Sequence, residues 1–330
     1  MKRSVVNQRH IVLAWASVII LGGLCGAGEG ADYAFPPMES LGGRKVFPID
    51  NWWNQSVDHL PVDSRSDAII ASIGSETSLH PDFGPMWQGA PTGIPYILIP
   101  SDQPRVPVSF QYADESDPGP YPVPPDAPIE GGGAADGDRH VLMIDRDNWV
   151  LYELFHAYPE EGGNRWRAGS GAIFDLKTNE LRPDGWTSAD AAGLPVFPGL
   201  VRYDEVVGQG EISQALRFTV RRSRRAYVHP ARHYASPHTD VDLPPMGMRV
   251  RLKADFDVSG FPEQVQVILR CLKRYGMLLA DNGGDWFISG APDPRWNFEV
   301  LAAMKQVKGK DLEVVEMEDV RTGEAVQTTK

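Results

Sequence analysis

The chain predicts a mainly β (α+β) fold, an antiparallel β-sandwich or jelly-roll-like architecture with a few peripheral helices. Three observations carry that expectation. Thirty-three Gly and 28 Pro are spread through 330 residues, and both residue types interrupt helices while supplying turn geometry. Short runs rich in β-branched and aromatic residues lie between them. Few stretches keep the 3.6-residue apolar period of a helix.

In chain order, strands are expected at 96–99, 106–112, 139–145, 149–156, 171–176, 215–220, 226–229 and 248–252. Helices are expected at 66–73, 188–192 and 297–307. A further helix follows Pro262, with Val265, Ile268, Leu269 and Leu272 on one face and Gly276 as its stop. Two hairpins stand out. In the first, Asp145 to Asn148 form the turn, which sets Ile144 opposite Trp149, Leu142 opposite Leu151 and His140 opposite Glu153. In the second, 277–280 and 285–289 flank Asp281-Asn282-Gly283-Gly284, where Asn-Gly favours the positive φ of a tight turn. The Pro-rich stretch 117–128 and the glycines 131–133 make a long loop leading into the first hairpin.

Residues 1–27 read as a secretory signal peptide: Lys2, Arg3 and Arg9 precede an apolar stretch from Ile11 to Leu24 and then small residues. That stretch is shorter than the roughly 20 residues that span a bilayer. A bulky Leu24 before Cys25 argues against a lipoprotein signal. Residues 28–316 are expected to form a single β-rich domain, followed by a flexible tail over 317–330. A secreted or periplasmic location follows. The whole chain carries a net charge of −12, and without residues 1–27 it has 29 basic against 44 acidic side chains. Such a surface repels phosphate backbones and anionic membranes, so neither is an expected partner. With Cys25 removed, Cys271 stands alone on a predicted helix and reads as a packing residue, so a large core rather than disulfides must hold the fold.

The first hairpin holds the best-specified chemistry. His140 and Glu153 meet across it, Asp138 shares their face, and Glu130 on the incoming loop supplies a second carboxyl group. Glycoside hydrolysis commonly needs two carboxyl groups, one protonated and one ionised. Glu130 and Glu153 are therefore the candidate acid and base, with His140 tuning Glu153 and Asp138 in reserve. The bland alternative is a satisfied polar pair at a sheet edge. Arg139, Arg202, Arg232 and His233 are candidates for holding a hydroxyl-rich or anionic ligand, and Trp52, Trp53 and Trp166 for an exposed platform on which a sugar face could lie.

No cofactor is expected. The alternatives are Ca²⁺ at Asp114, Glu115 and Asp117, which read better as turn-capping groups, and Zn²⁺ at His229, His233 and His238, where Pro230 and Pro237 break the helical spacing that would make three imidazoles persuasive. There is no phosphate-binding loop, dinucleotide fingerprint or Gly-x-Ser-x-Gly elbow. Export, turn-borne aromatics and clustered carboxyls together point to a carbohydrate-active protein, a glycoside hydrolase or polysaccharide lyase whose partner is an extracellular polysaccharide. The alternative is a non-catalytic glycan-binding or structural envelope protein.

Several strings, YADESDPGPY (112–121), GDRH (137–140), GSGAIFDL (169–176), GWTSADAAG (185–193), ALRFT (215–219) and PARH (230–233), resemble those of a group of uncharacterised secreted bacterial proteins over most of residues 47–315. The resemblance implies export and a single structural unit, and it transfers no catalytic residue. A histidine is associated in that group with the position that Gln214 occupies here.

Overall fold

The structure, a computed structural model, describes residues 35–322. The expected signal segment 1–27, Cys25 included, lies outside the described residues, as do 323–330. The fold is mainly β with few helices, as its short Gly- and Pro-bounded runs predict. Its largest sheet has six strands in the order His80–Asp82, Phe287–Ser289, Leu216–Val220, Met277–Asn282, Arg249–Leu252 and Leu312–Val314. A second sheet has four, ordered Ser170–Asp175, Val150–Phe155, Val141–Asp145 and Tyr96–Ile99. A third has three: Val108–Phe110, Arg165–Ala168 and Tyr158–Glu160. The expected antiparallel pairing holds for neighbours such as Val141–Asp145 with Val150–Phe155, while Leu216–Val220 runs parallel to Met277–Asn282 and Tyr96–Ile99 parallel to Val141–Asp145.

The four-stranded sheet is buried on both faces. Leu142, Ile144, Leu151, Ala172 and Phe174 enter a main core with the six-stranded sheet and the Glu263–Arg274 helix. Val141, Met143, Tyr152 and Leu154 enter a second core with Tyr121 and Trp166. Two-sided burial explains why these strands read as continuous apolar runs rather than alternating ones. A polar side chain on either strand therefore has to find a partner inside the protein.

The register of the first hairpin differs from expectation by two residues. Asp145 pairs with Val150, Ile144 with Leu151, and Leu142, not His140, with Glu153. The reason is the turn. Asp145 is the last strand residue, and its carboxylate accepts the Asp147 and Asn148 amides at 3.0 and 2.8 Å. Trp149 then closes a loop of the same length moved one residue along the chain, in the left-handed region, φ 57°, with its amide donating to Asp145 O at 2.8 Å. A shift of two preserves the face of every side chain, because the pleat has period two, and changes every partner.

The second hairpin does not form. Leu216–Val220 inserts between Met277–Asn282 and Phe287–Ser289, and the connection straddles its end, Gly283 N donating to Val220 O at 2.9 Å and Trp286 N to Thr219 O at 3.2 Å. The strand runs on through Asn282, so Asn-Gly is not the centre of a tight turn. The expected 66–73 helix is present as Ser66–Ile73, burying Ile69, Ile70 and Ile73. At its far end the chain forms a helix at Phe298–Leu301, continued by a 3₁₀ segment Ala302–Gln306 and capped by the Asn297 side chain. The expected helix at 188–192 is absent: the Ser188 hydroxyl accepts the Asp190 amide at 2.9 Å and donates to Leu194 O at 2.5 Å, a local bonding pattern that competes with helical hydrogen bonds. In the segment expected as a tail, Arg321–Thr322 pairs with Ala226–Tyr227. Among the described residues no helix is long and apolar enough to cross a membrane.

Candidate active site

His140 lies just before the Val141–Asp145 strand, 2 % exposed. Its Nδ1 is 2.6 Å from Glu130 Oε2 and its Nε2 2.9 Å from the Ala189 carbonyl. Both partners are acceptors, so the imidazole donates from both nitrogens and is a cation in this arrangement. Burial opposes that charge, but the Glu130 carboxylate outweighs it and lifts the His140 pKa to about 9. Burial likewise opposes the Glu130 charge, and His140 reverses the effect, holding that carboxyl below its ordinary range. The two backbones are tied as well, Glu130 N donating to His140 O at 3.0 Å.

Glu153 is fully buried and has no bond to His140. Its carboxylate accepts the amides of Val196 and Phe197 at 2.9–3.0 Å. Burial pushes its pKa up to about 7, and the two amides hold the rise back. The expected pairing of His140 with Glu153 is thus replaced by His140 with Glu130. Glu153 instead ties the four-stranded sheet to the 194–197 segment, and Asp138 stands exposed above the cluster.

A second buried pair comes from the six-stranded sheet. Arg217 donates to both carboxylate oxygens of Asp190, at 3.0 and 2.6 Å, and its remaining terminal nitrogen to the Ser289 hydroxyl. The segment 188–191 is consequently held residue by residue. Ser170 donates to Ser188 O at 2.6 Å, His140 holds Ala189 O, Arg217 holds the Asp190 carboxylate, and His233 Nδ1 donates to Ala191 O at 2.8 Å.

That segment forms one wall of a cleft of about 390 Å³, whose lining includes Tyr112, Glu115, Phe155, Asp190, His233 and Asp281. Asp281 is the penultimate residue of the Met277–Asn282 strand, where its Oδ1 accepts its neighbour Asn282's amide at 2.6 Å and its Oδ2 the Ala191 amide at 3.4 Å. Burial, then the negative charge of Asp190, raises its pKa strongly. Opposite, Glu115 is 39 % exposed at its side chain and lies 3.9 Å from His233 Nε2. Asp82, at the end of the His80–Asp82 strand, is open to solvent; desolvation in its recess and the Glu130 charge raise its pKa, a rise that solvent screening limits.

The other expected contacts are distributed differently. Arg139 is buried, and its guanidinium holds the carbonyls of Gly133, Ala135 and Ala157 at 2.7–3.0 Å, fixing the glycine loop beneath Glu130. Arg202 is buried against Glu205, at 2.5 Å, with Gln214 also on that carboxylate at 2.9 Å, away from the residues that line the cleft. Trp53 and Trp166 are 3 % and 0 % exposed, so neither offers a platform. Trp53 is the inward residue of a 3₁₀ turn, Trp52–Asn54, and Trp166 takes the inward position in the alternation of Arg165–Ala168. Trp52 is half-buried, packs edge-on against His229 at 4.4 Å and lines a separate groove. Arg232 is engaged with Arg182 O and Asp184, both at 2.8 Å. Of the three histidines weighed for zinc, His233 lines the cleft, His229 faces Trp52, and His238 is exposed; they do not converge. In the 114–117 turn, Asp117 receives Arg182 and the Ile173 amide, and Glu115 the Thr187 amide at 3.3 Å.

Asp190, Arg217 and Asp281 were not legible as site residues. A signal existed: Arg217 stands inside ALRFTV and Asp281 directly after MLLA, each a charge in an apolar strand. Comparison with protein-family models, curated proteins and solved structures finds no match to this chain.

Proposed function

We propose that the cleft is a saccharide site at which an exported protein hydrolyses an extracellular polysaccharide. Asp281 is the proton donor: it protonates the glycosidic oxygen as the bond to the anomeric carbon breaks. Glu115, the more solvent-open carboxylate, activates the incoming water or attacks the anomeric carbon, the two-carboxyl division of labour of glycoside hydrolysis. The observation that carries this reading is Asp281 itself, a carboxyl group kept protonated by burial and by Asp190 yet reaching the lining of an open cleft. Tyr112 and Phe155 offer flat apolar surface to a sugar ring. Glu130, His140, Arg217 and Glu153 act as positioning residues, since each is bonded to protein groups rather than directed at the cleft.

The test is incubation with a panel of polysaccharides. New reducing ends are expected from the wild type and not from Asp281→Asn, whose amide replaces a protonated carboxyl and leaves the unfolding midpoint unchanged. Unsaturated, ultraviolet-absorbing products would assign a lyase instead. Retention on a glycan gel with no new ends from any substrate would leave a non-catalytic binder.

A further inference from the structure

We infer that a water molecule held between Glu115 and His233 is the nucleophile, so that hydrolysis in the cleft inverts the anomeric configuration. This rests on the reading of the cleft as a hydrolytic saccharide site and chooses between the two roles open to Glu115. Both groups line the cleft, and both side chains reach solvent. One segment sets their orientation. The Thr187 amide donates to Glu115 Oε2 at 3.3 Å, and the Ala191 carbonyl accepts His233 Nδ1–H at 2.8 Å. On their outer sides Glu115 O accepts Arg182 Nη2 at 2.9 Å, and the His233 ring lies parallel to the Tyr234 ring.

The Ala191 bond decides the tautomer. A carbonyl only accepts, so the proton of the neutral imidazole sits on Nδ1, and the Nε2 lone pair is left to face Glu115 Oε2 at 3.9 Å. At that separation the two groups do not bond each other. Two acceptors opposed in this way call for one group that donates two hydrogens. Water is such a group: an oxygen about 2.8 Å from each would see them at an angle of about 90°, close to that between its own O–H bonds. A sugar hydroxyl carries one hydrogen and leaves one acceptor unpaired. In the step, the water oxygen bonds to the anomeric carbon as the glycosidic C–O bond breaks, and that bond's electron pair goes to the leaving oxygen, which takes the Asp281 proton. One water proton passes to Glu115; the other stays on the new anomeric hydroxyl, bonded to His233 Nε2. Glu115 then releases its proton to solvent and Asp281 takes one up. His233 is thus a catalytic residue that touches the reacting water and keeps its own charge unchanged.

The experiment has two arms, both on the full chain. In the first, carboxymethylcellulose, xylan, laminarin, pectin and chitosan are the probes, and proton NMR begun before mutarotation follows the anomeric protons of the new reducing ends. Inversion is expected. His233→Asn keeps, through its side-chain amide, a donor for Ala191 O but has no counterpart to Nε2; it is expected to lower kcat about ten-fold with KM and the unfolding midpoint unchanged, the loss of one hydrogen bond to the reacting water. Retention, or an undiminished kcat in His233→Asn, overturns the inference and leaves the hydrolase reading standing. No new reducing ends from any of the polymers refutes that reading itself, and the inference falls with it. In the second arm, nitrogen-15 NMR of the wild type at pH 8, with His233→Asn to assign the signal, is expected to show Nδ1 protonated and Nε2 bare. A ring protonated at Nε2 overturns the inference whatever the fate of the polymers.

Discussion

His140 makes stability depend on pH in a direction and window that can be worked from its two bonds. Its pKa is raised from 6.5 to about 9 in the folded protein. A basic group raised on folding binds its proton more tightly in the native state. Its contribution is therefore complete below the unfolded value of 6.5 and is lost as pH rises through the folded value. The interval, at about 1.4 kcal/mol per pH unit, corresponds to roughly 3 kcal/mol, and burial of the ring means solvent screening does not dilute it. Replacing His140 with Gln removes the titration while leaving an amide that can still donate to Ala189 O. Urea unfolding followed by tryptophan fluorescence should find the wild type more stable than His140→Gln by about 3 kcal/mol at pH 6, with the gap narrowing by a similar amount at pH 10. Asp281 and other shared groups titrate in both proteins and cancel in the difference. A gap that stays constant from pH 6 to pH 10 would mean that the imidazole is neutral in the fold and that the Glu130–His140–Ala189 arrangement does not carry a charge.

Glu153→Gln should behave in the opposite sense. The wild-type carboxyl is raised from 4.5 to about 7, so its ionisation costs stability as pH climbs through that window, and Gln, whose Oε1 can still accept the Val196 and Phe197 amides, should flatten that fall and equal or exceed the wild type at pH 8 in the same urea assay. Arg217→Met leaves the buried Asp190 carboxylate without its cation and should cost about 3–5 kcal/mol, much of it recovered in the double variant with Asp190→Asn. Gly276→Ala puts a Cβ 2.4 Å from the Val250 carbonyl at a backbone φ of 66° and should lose about 1–3 kcal/mol by thermal unfolding.

Local pattern made much of the fold legible. Strands at 96–99, 141–145 and 150–155, the Ser66–Ile73 helix and the Glu263–Arg274 helix follow from apolar period and from Pro and Gly at their ends. Even the face of the first hairpin is right, because a two-residue slip in register leaves alternation untouched. Partner identity is what local pattern does not contain. Whether Asp145 ends a strand or begins a turn depends on which amides its carboxylate accepts, and that choice moved Glu153 from His140 to Leu142. The second hairpin failed for a similar reason: the strand between its arms arrives from some 60 residues earlier in the chain.

The site is less legible than the fold because it is built across sheets. The bonds that shape the cleft join residues 27, 49 and 72 positions apart: Arg217 with Asp190, His140 with Ala189, and Arg217 with Ser289. Composition shows an excess of carboxyls but not which of them are committed to internal cations. Once those commitments are drawn, the division of roles follows. A buried carboxylate held by a bidentate guanidinium or an imidazolium has its charge compensated where it stands, and changing its ionisation breaks structure. Asp281 differs because burial and the Asp190 charge outweigh Arg217 and the amides it accepts, while the cleft keeps it within reach of a ligand. Proton transfer at Asp281 therefore disturbs the surrounding bonds least, and an assay that moves activity without moving stability should find its strongest effect there rather than at His140 or Glu153.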